Sequence, residues 1–297
     1  ARKVASDYLQ RYPRYPQRSL IEVQDALTLL ARGELLRQEA AISLQPQERR
    51  AAALETLRMS VRMLEKIDAT LSKMIPTARN ETGDDDSLSQ ARLMSLQVHV
   101  QFQLARAFRN QGLCYPQGSE DQIAALQKAL NQLAKPLTQL APEDTLVGPI
   151  QRDQSICLRW LGDLEQARKT IAPLHQAVRD PQLQLQARAE LIWIELASER
   201  LAAAMTLLQQ PRRIENTTSP ELDLARLEVS LVQWQQARKL KQTAAVQQWQ
   251  QRAIDMVQFL ESQHGAYWGR RAETRLLRIA GRDTSNLEIL HRTADDL

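Results

Sequence analysis

Proline and glycine punctuate this chain only at wide intervals, and the stretches between them are long, unbroken and rich in helix-favouring residues. From Gln47 to Ile75, between Pro46 and Pro76, there is neither. A sheet protein needs frequent turns, and it needs β-branched or aromatic side chains for its pleats. With 9 Gly, 12 Pro and 4% aromatic residues against heavy use of Leu, Ala, Gln, Arg and Glu, this chain supplies too few of either. An all-α fold is predicted. The same counts exclude a collagen-like chain, a disulfide scaffold and a Gly-rich nucleotide-binding sheet. A mean hydropathy of −0.44, with Arg, Glu or Gln breaking every apolar run, excludes membrane insertion and predicts a soluble protein. The 297 residues suffice for one large core, two small ones or an extended stack.

The breakers divide the chain into helical blocks. Pro13 and Pro16 precede a run from Arg18 to Leu44, and Pro46 opens the next, Gln47 to Ile75, in the first-turn position that proline tolerates. These two read as a hairpin of long helices. Thr77 to Asp86, with Asn80, Gly83 and Asp84-Asp85-Asp86, reads as a polar, mobile connection. Ser87 then offers an N-cap to a helix reaching Gln111. That helix carries two apolar stripes, one of Ala91, Met94, Val98, Phe102, Ala105 and Phe108, the other of Leu93, Leu96, Val100, Leu104 and Ala107. Two stripes mean two buried sides, which a stacked array produces and a surface helix does not. After Gly112 to Gly118 a helix from Glu120 to Leu140 is closed by Pro142. The blocks beyond are Pro149 to Leu161, Asp163 to Val178, Pro181 to Ala197, Glu199 to Gln210, Pro220 to Lys241, Thr243 to His264 and Tyr267 to Ala280. Ser285 to Ala294 reads as a short amphipathic cap.

Together the blocks predict one helical array over 1–297, with long-helix hairpins in 1–142 and shorter ones in 143–297. The hairpins number about six, stacked antiparallel as a right-handed superhelix, with the first four helices longer than those after Pro149. Successive openings at Pro149, Pro181 and Pro220 are unevenly spaced, so the repeat is degenerate. The chain starts Ala1-Arg2-Lys3 without Met on what reads as the end of a helix, which predicts a processed product or part of a longer repeat protein.

The segment Ser155, Leu158, Gly162-Asp163-Leu164-Glu165-Gln166-Ala167, Ile171 resembles a tetratricopeptide repeat. Small Ser155 and Ala167 allow two helices to approach, Gly162 relaxes the turn, and Leu158, Leu164 and Ile171 fill the space between. The next pair, with Leu191, Leu201, Ala204 and Leu208, departs from the pattern at Glu199, where the turn glycine is missing, and at Ile192, where a small residue is usual. The resemblance implies a right-handed α-solenoid. Tyr8-Leu9-Gln10-Arg11-Tyr12-Pro13 resembles a helix end of envelope-associated bacterial proteins of this class. Gly265-Ala266-Tyr267-Trp268-Gly269-Arg270-Arg271-Ala272-Glu273 is similar to a segment of large planctomycete ones. Localisation stays open, with the periplasm or cell envelope slightly favoured over the cytoplasm.

Motifs for chemistry are missing. His99, His175, His264 and His291 stand singly, without metal-ligand spacing, and Asp84-Asp85-Asp86 lacks the oxygen spacing and closing Glu of a calcium loop. No Gly-rich phosphate loop and no nucleophile elbow occurs. No enzyme, cofactor or metal is predicted. Cys114 and Cys157 lack a CxxC partner, and a disulfide between them stays open. A net charge of +4 is a small excess, and Arg49-Arg50 and Arg212-Arg213 make a poor nucleic-acid groove. Arg outnumbers Lys roughly four to one, which suits an internal glue of guanidinium–carboxylate pairs. Trp160, Trp193, Trp234 and Trp249 sit at helical spacing among Leu and Ala and read as core.

The candidate partner-binding residues are Tyr267, Trp268, Arg270 and Arg271. Rings beside forked cations could hold an anionic or aromatic group, and the alternative is that the rings plug a helix junction while the arginines serve neighbouring carboxylates. A helical array favours binding an extended peptide or a partner's helix over catalysis. The predicted function is a non-enzymatic scaffold for protein or peptide partners. The alternative is a self-assembling structural component of the envelope, and a regulatory nucleic-acid binder ranks third.

Overall fold

A computed structural model describes residues 2–12, 17–40, 46–78, 88–177, 180–211 and 218–280. Every regular element among them is helical. In chain order they are α1 (Arg2–Arg11), α2 (Arg18–Ala40), α3 (Pro46–Met74) with a 3-10 turn at Ile75–Thr77, α4 (Gln90–Gly112), α5 (Glu120–Leu137) and α6 (Val147–Leu161). These are followed by α7 (Leu164–Ala177), α8 (Pro181–Ala197), α9 (Leu201–Gln209), α10 (Pro220–Lys239), α11 (Thr243–His264) and α12 (Ala266–Ala280). Helices pack on their sequence neighbours. The chain divides into two compact units, 1–167 and 168–297.

In the first unit α2 pairs with α3 and α4 with α5, while α3 lies on α4 and α5 on α6. The first helices also touch in series, α2 on α4 and α4 on α6. Leu57, Leu64 and Leu71 of α3, Leu93, Val100 and Leu104 of α4, and Leu126 and Leu133 of α5 belong to one continuous core. Burying such side chains contributes about 1.5–3 kcal/mol each. Both stripes of α4 are largely buried, as a helix between neighbours requires. Ala91 and Met94 in its first turn are exposed instead, because periodicity continues to a helix end whether or not a neighbour does. The N-cap is Ser89, not Ser87: its backbone is extended and its Oγ accepts from the Arg92 N–H at 3.5 Å.

In the second unit α8 pairs with α9, α10 with α11 and α11 with α12, and again the first helices touch in series, α8 on α10 and α10 on α12. Two apolar clusters fill it. One holds Ile192, Ala204 and Ala225, the other Leu227, Leu231, Leu260 and Leu276, and Trp193 packs against both.

The resembling hairpin has the predicted close approach. Ser155 and Ala167 are fully buried, and the Ser155 Oγ donates to the Ala167 carbonyl at 3.0 Å, tying α6 to α7. Gly162 takes the left-handed conformation at φ 87°, and the Asp163 N–H closes on the Leu158 carbonyl.

The expected shortening after Pro149 holds only as far as α9. Helices α10 and α11 have 20 and 22 residues, more than the 18 of α5. No glycine or proline interrupts the chain between Pro220 and Gly265, so these helices run on. Residues 79–86 of the predicted mobile connection, Ser87, Arg212-Arg213, His291 and the predicted cap at 285–294 lie outside the described residues.

Candidate interaction site

Between α11 and α12 the chain turns at Gly265, which has a φ of 85° open to glycine at little cost. Tyr267 and Trp268 fall in the first turn of α12, and Arg271 one turn later, on their side of the helix. The rings meet edge to face with centroids 5.5 Å apart. The Arg271 guanidinium lies 4.6 Å from the Trp268 centroid and 5.7 Å from that of Tyr267. Gly269 makes this possible. A Cβ there would stand 2.7 Å from the Glu261 Cβ and 3.2 Å from its Cα, so the missing side chain is what lets α12 lie against α11. Trp268 thereby packs onto the second apolar cluster.

Of the four residues singled out from sequence, three come together. Arg270 stands apart and exposed. Tyr267, Trp268 and Arg271 are half-buried, neither freely offered nor sealed. Burial holds the Arg271 guanidinium below its ordinary range and the charge of Arg275 pushes the same way, while Tyr267, which hydrogen-bonds it, works in the opposite sense.

One turn further along α12, Arg275 gathers residues that sequence periodicity could not associate. Its guanidinium lies 4.6 Å from the Trp193 centroid on α8, and its Nη1 donates to Glu228 Oε2 on α10 at 2.8 Å. Three first helices therefore meet at one side chain. The visible signal was the spacing Trp268, Arg271, Arg275, Arg278, a single stripe along α12. Of the tryptophans predicted as core, only Trp234 is buried, at 4% exposure. Trp160, Trp193 and Trp249 are half-buried, and an arginine lies over the ring of all four and of Trp268.

Elsewhere arginine acts as the predicted glue. In the first unit, Arg106 Nη2 on α4 donates to both Glu34 oxygens on α2 at 2.9 and 3.1 Å, and Asn110 Nδ2 donates to the same carboxylate at 2.7 Å. Arg37 Nε donates to Asn110 Oδ1 at 3.0 Å. Arg109 pairs with Asp153 of α6, a carboxylate only 1% exposed. Burial opposes the Arg109 charge, but Asp153, Cys157 and Glu34 outweigh it and raise its pKa. In the second unit Arg168 and Arg200 converge on Glu195, each at 2.8 Å, and Arg188 donates to the Gln210 and Pro211 carbonyls at 2.8 and 2.9 Å.

The described histidines, His99, His175 and His264, are dispersed. His99 is held below its ordinary range by burial and then by the Arg106 charge, His175 pairs with Gln210 at 2.7 Å, and His264 meets the buried Asp223 at 3.0 Å. Among the described residues no group of His, Cys, Asp and Glu could hold a metal, and no helix is long and apolar enough to cross a membrane. Cys114 and Cys157 are both buried and no disulfide joins them, so the open disulfide alternative falls, and burial pushes the Cys114 thiol up to about 11. No family model, curated protein or solved structure matches the chain.

Proposed function

We propose that this chain is a non-enzymatic scaffold, a tetratricopeptide-like α-solenoid of right-handed sense, that binds a protein or peptide partner along the face built by the first helices of its hairpins. The observation that carries this reading is the serial contact of first helices within each unit, α2–α4–α6 and α8–α10–α12, which lines up side chains from separate hairpins on one surface. Arg275, touching Trp193 and Glu228, is that surface at its most convergent. A face of this kind gives many anchor points to an extended ligand and encloses none of it, which suits recognition better than chemistry.

The test is affinity capture from a lysate of the source organism, followed by amide hydrogen exchange on the purified complex. A stoichiometric partner that slows exchange in α2, α4 and α6, or in α8, α10 and α12, is the expected result. Protection confined to second helices would sink the reading. So would failure to capture any partner together with particle size that grows with protein concentration in light scattering, which is the signature of a self-assembling component.

A further inference from the structure

We infer that the ledge formed by Trp268, Arg271 and Arg275 on α12 anchors carboxylate side chains of an acidic segment on the partner protein. This rests on the scaffold reading and names the chemistry of its ligand.

Charge on α12 is lopsided. Arg270, Arg271, Arg275 and Arg278 face Glu273 alone in the helix sequence, and Arg271, Arg275 and Arg278 share one side with Trp268. Internal pairing accounts for most half-buried arginines: Arg106 has Glu34, Arg109 has Asp153, Arg168 has Glu195 and Arg275 has Glu228. Arg271 is different. It is stacked on two rings, half-buried and opposed by the charge of Arg275, yet among the described residues no carboxylate pairs with it; Glu221 acts on it only through its field. A cation so placed is stabilised by an arriving anion. The rings also fix the guanidinium plane in advance, so little side-chain freedom is lost when its N–H fork meets a carboxylate.

The surroundings favour a protein ligand over a phosphate backbone. On the neighbouring α10, Glu221 and Glu228 stand beside the ledge, while Asp223 of α10 and Glu190 of α8 are buried. Such interspersed carboxylates repel a continuous row of phosphates but leave room for one or two acidic side chains, with apolar neighbours resting on Trp268 and Trp193.

The experiment uses the full chain and fluorescence polarisation at low salt, with a short labelled peptide alternating Glu and Leu, its Gln-for-Glu counterpart, and single-stranded oligothymidine. The Glu peptide is expected to bind and the Gln peptide not to. Arg271→Ala and Arg271→Lys should each weaken binding by about tenfold, the second without moving the thermal midpoint, while Arg270→Ala changes it only slightly. Equal binding of the Gln peptide, indifference to Arg271→Lys, or tighter binding of the oligonucleotide overturns the assignment. If the Glu peptide fails while a captured partner still protects the first helices, the acidic-ligand assignment alone falls. If the captured partner protects only second helices, the scaffold reading falls, and the peptide result is judged on its own.

Discussion

Glu199 and Lys241 occupy left-handed backbone at φ 58° and 54°, where glycine is the ordinary choice. Each follows a first helix, and the next N–H closes back five residues, Arg200 to the Glu195 carbonyl at 2.8 Å and Gln242 to the Ala237 carbonyl at 3.0 Å. Gly162 and Asp163 make the same closure at the end of α6. Both side chains are exposed, so little is lost by removing them. Glu199→Gly and Lys241→Gly are each expected to raise stability by about 0.5–1 kcal/mol, and Gly162→Ala to lower it by about 1 kcal/mol, all read from thermal melting. Cys114 carries a pH signature. Burial keeps its thiol protonated in the folded chain up to about 11, whereas the unfolded thiol ionises in the ordinary range. Below that range both states hold the proton and Cys114 contributes nothing. As pH rises through it the unfolded state alone releases the proton, so stability falls, by roughly 2–3 kcal/mol when the folded thiol finally titrates. Urea midpoints measured across that interval should fall more steeply for the native chain than for Cys114→Ala.

The hairpin of α11 and α12 depends on a missing side chain. Gly269→Ala sets a methyl group against the Glu261 Cβ and backbone, and the helices must part. A loss of about 1–3 kcal/mol is expected in thermal melting, with a shift in tryptophan emission as Trp268 leaves its packing. Glycine's poor helix propensity works against that loss, so an unchanged or raised midpoint would show that α12 does not sit as closely as described. Much of this architecture was legible. The two stripes of α4 are written over residues 91–108, long enough for period to outweigh any single position. Tyr267, Trp268 and Arg271 were legible as a group because one helical turn spans them. What stayed hidden was set by neighbours. Arg275 reaches Glu228 across 47 positions, and no periodicity within α12 reports which ring or carboxylate waits on α8 or α10. Helix ends were the other blind spot: Ser87 and Ser89 are chemically equal candidates, and which one caps α4 is decided by where the backbone turns extended.

Four of the five tryptophans, Trp193, Trp234, Trp249 and Trp268, belong to the unit at 168–297, and only Trp160 belongs to the unit at 1–167. Emission therefore reports chiefly on one unit, while far-ultraviolet circular dichroism reports helices from both. Each unit has its own apolar core, so urea curves from the two probes are expected not to superimpose; coincident curves would show one cooperative transition. Serial packing has a consequence for how the chain is made. Within each unit the described helices pack mainly on sequence neighbours, and α2, α4 and α6, like α8, α10 and α12, touch in series. Contacts this local close short loops, and such folds form within microseconds to milliseconds. A ribosome adds about 5–20 residues per second, so a hairpin has ample time to bury its apolar face before the following one emerges. Within each unit assembly can then proceed from its first hairpin toward its last, and a slowdown of translation at one turn leaves the finished hairpins behind it intact.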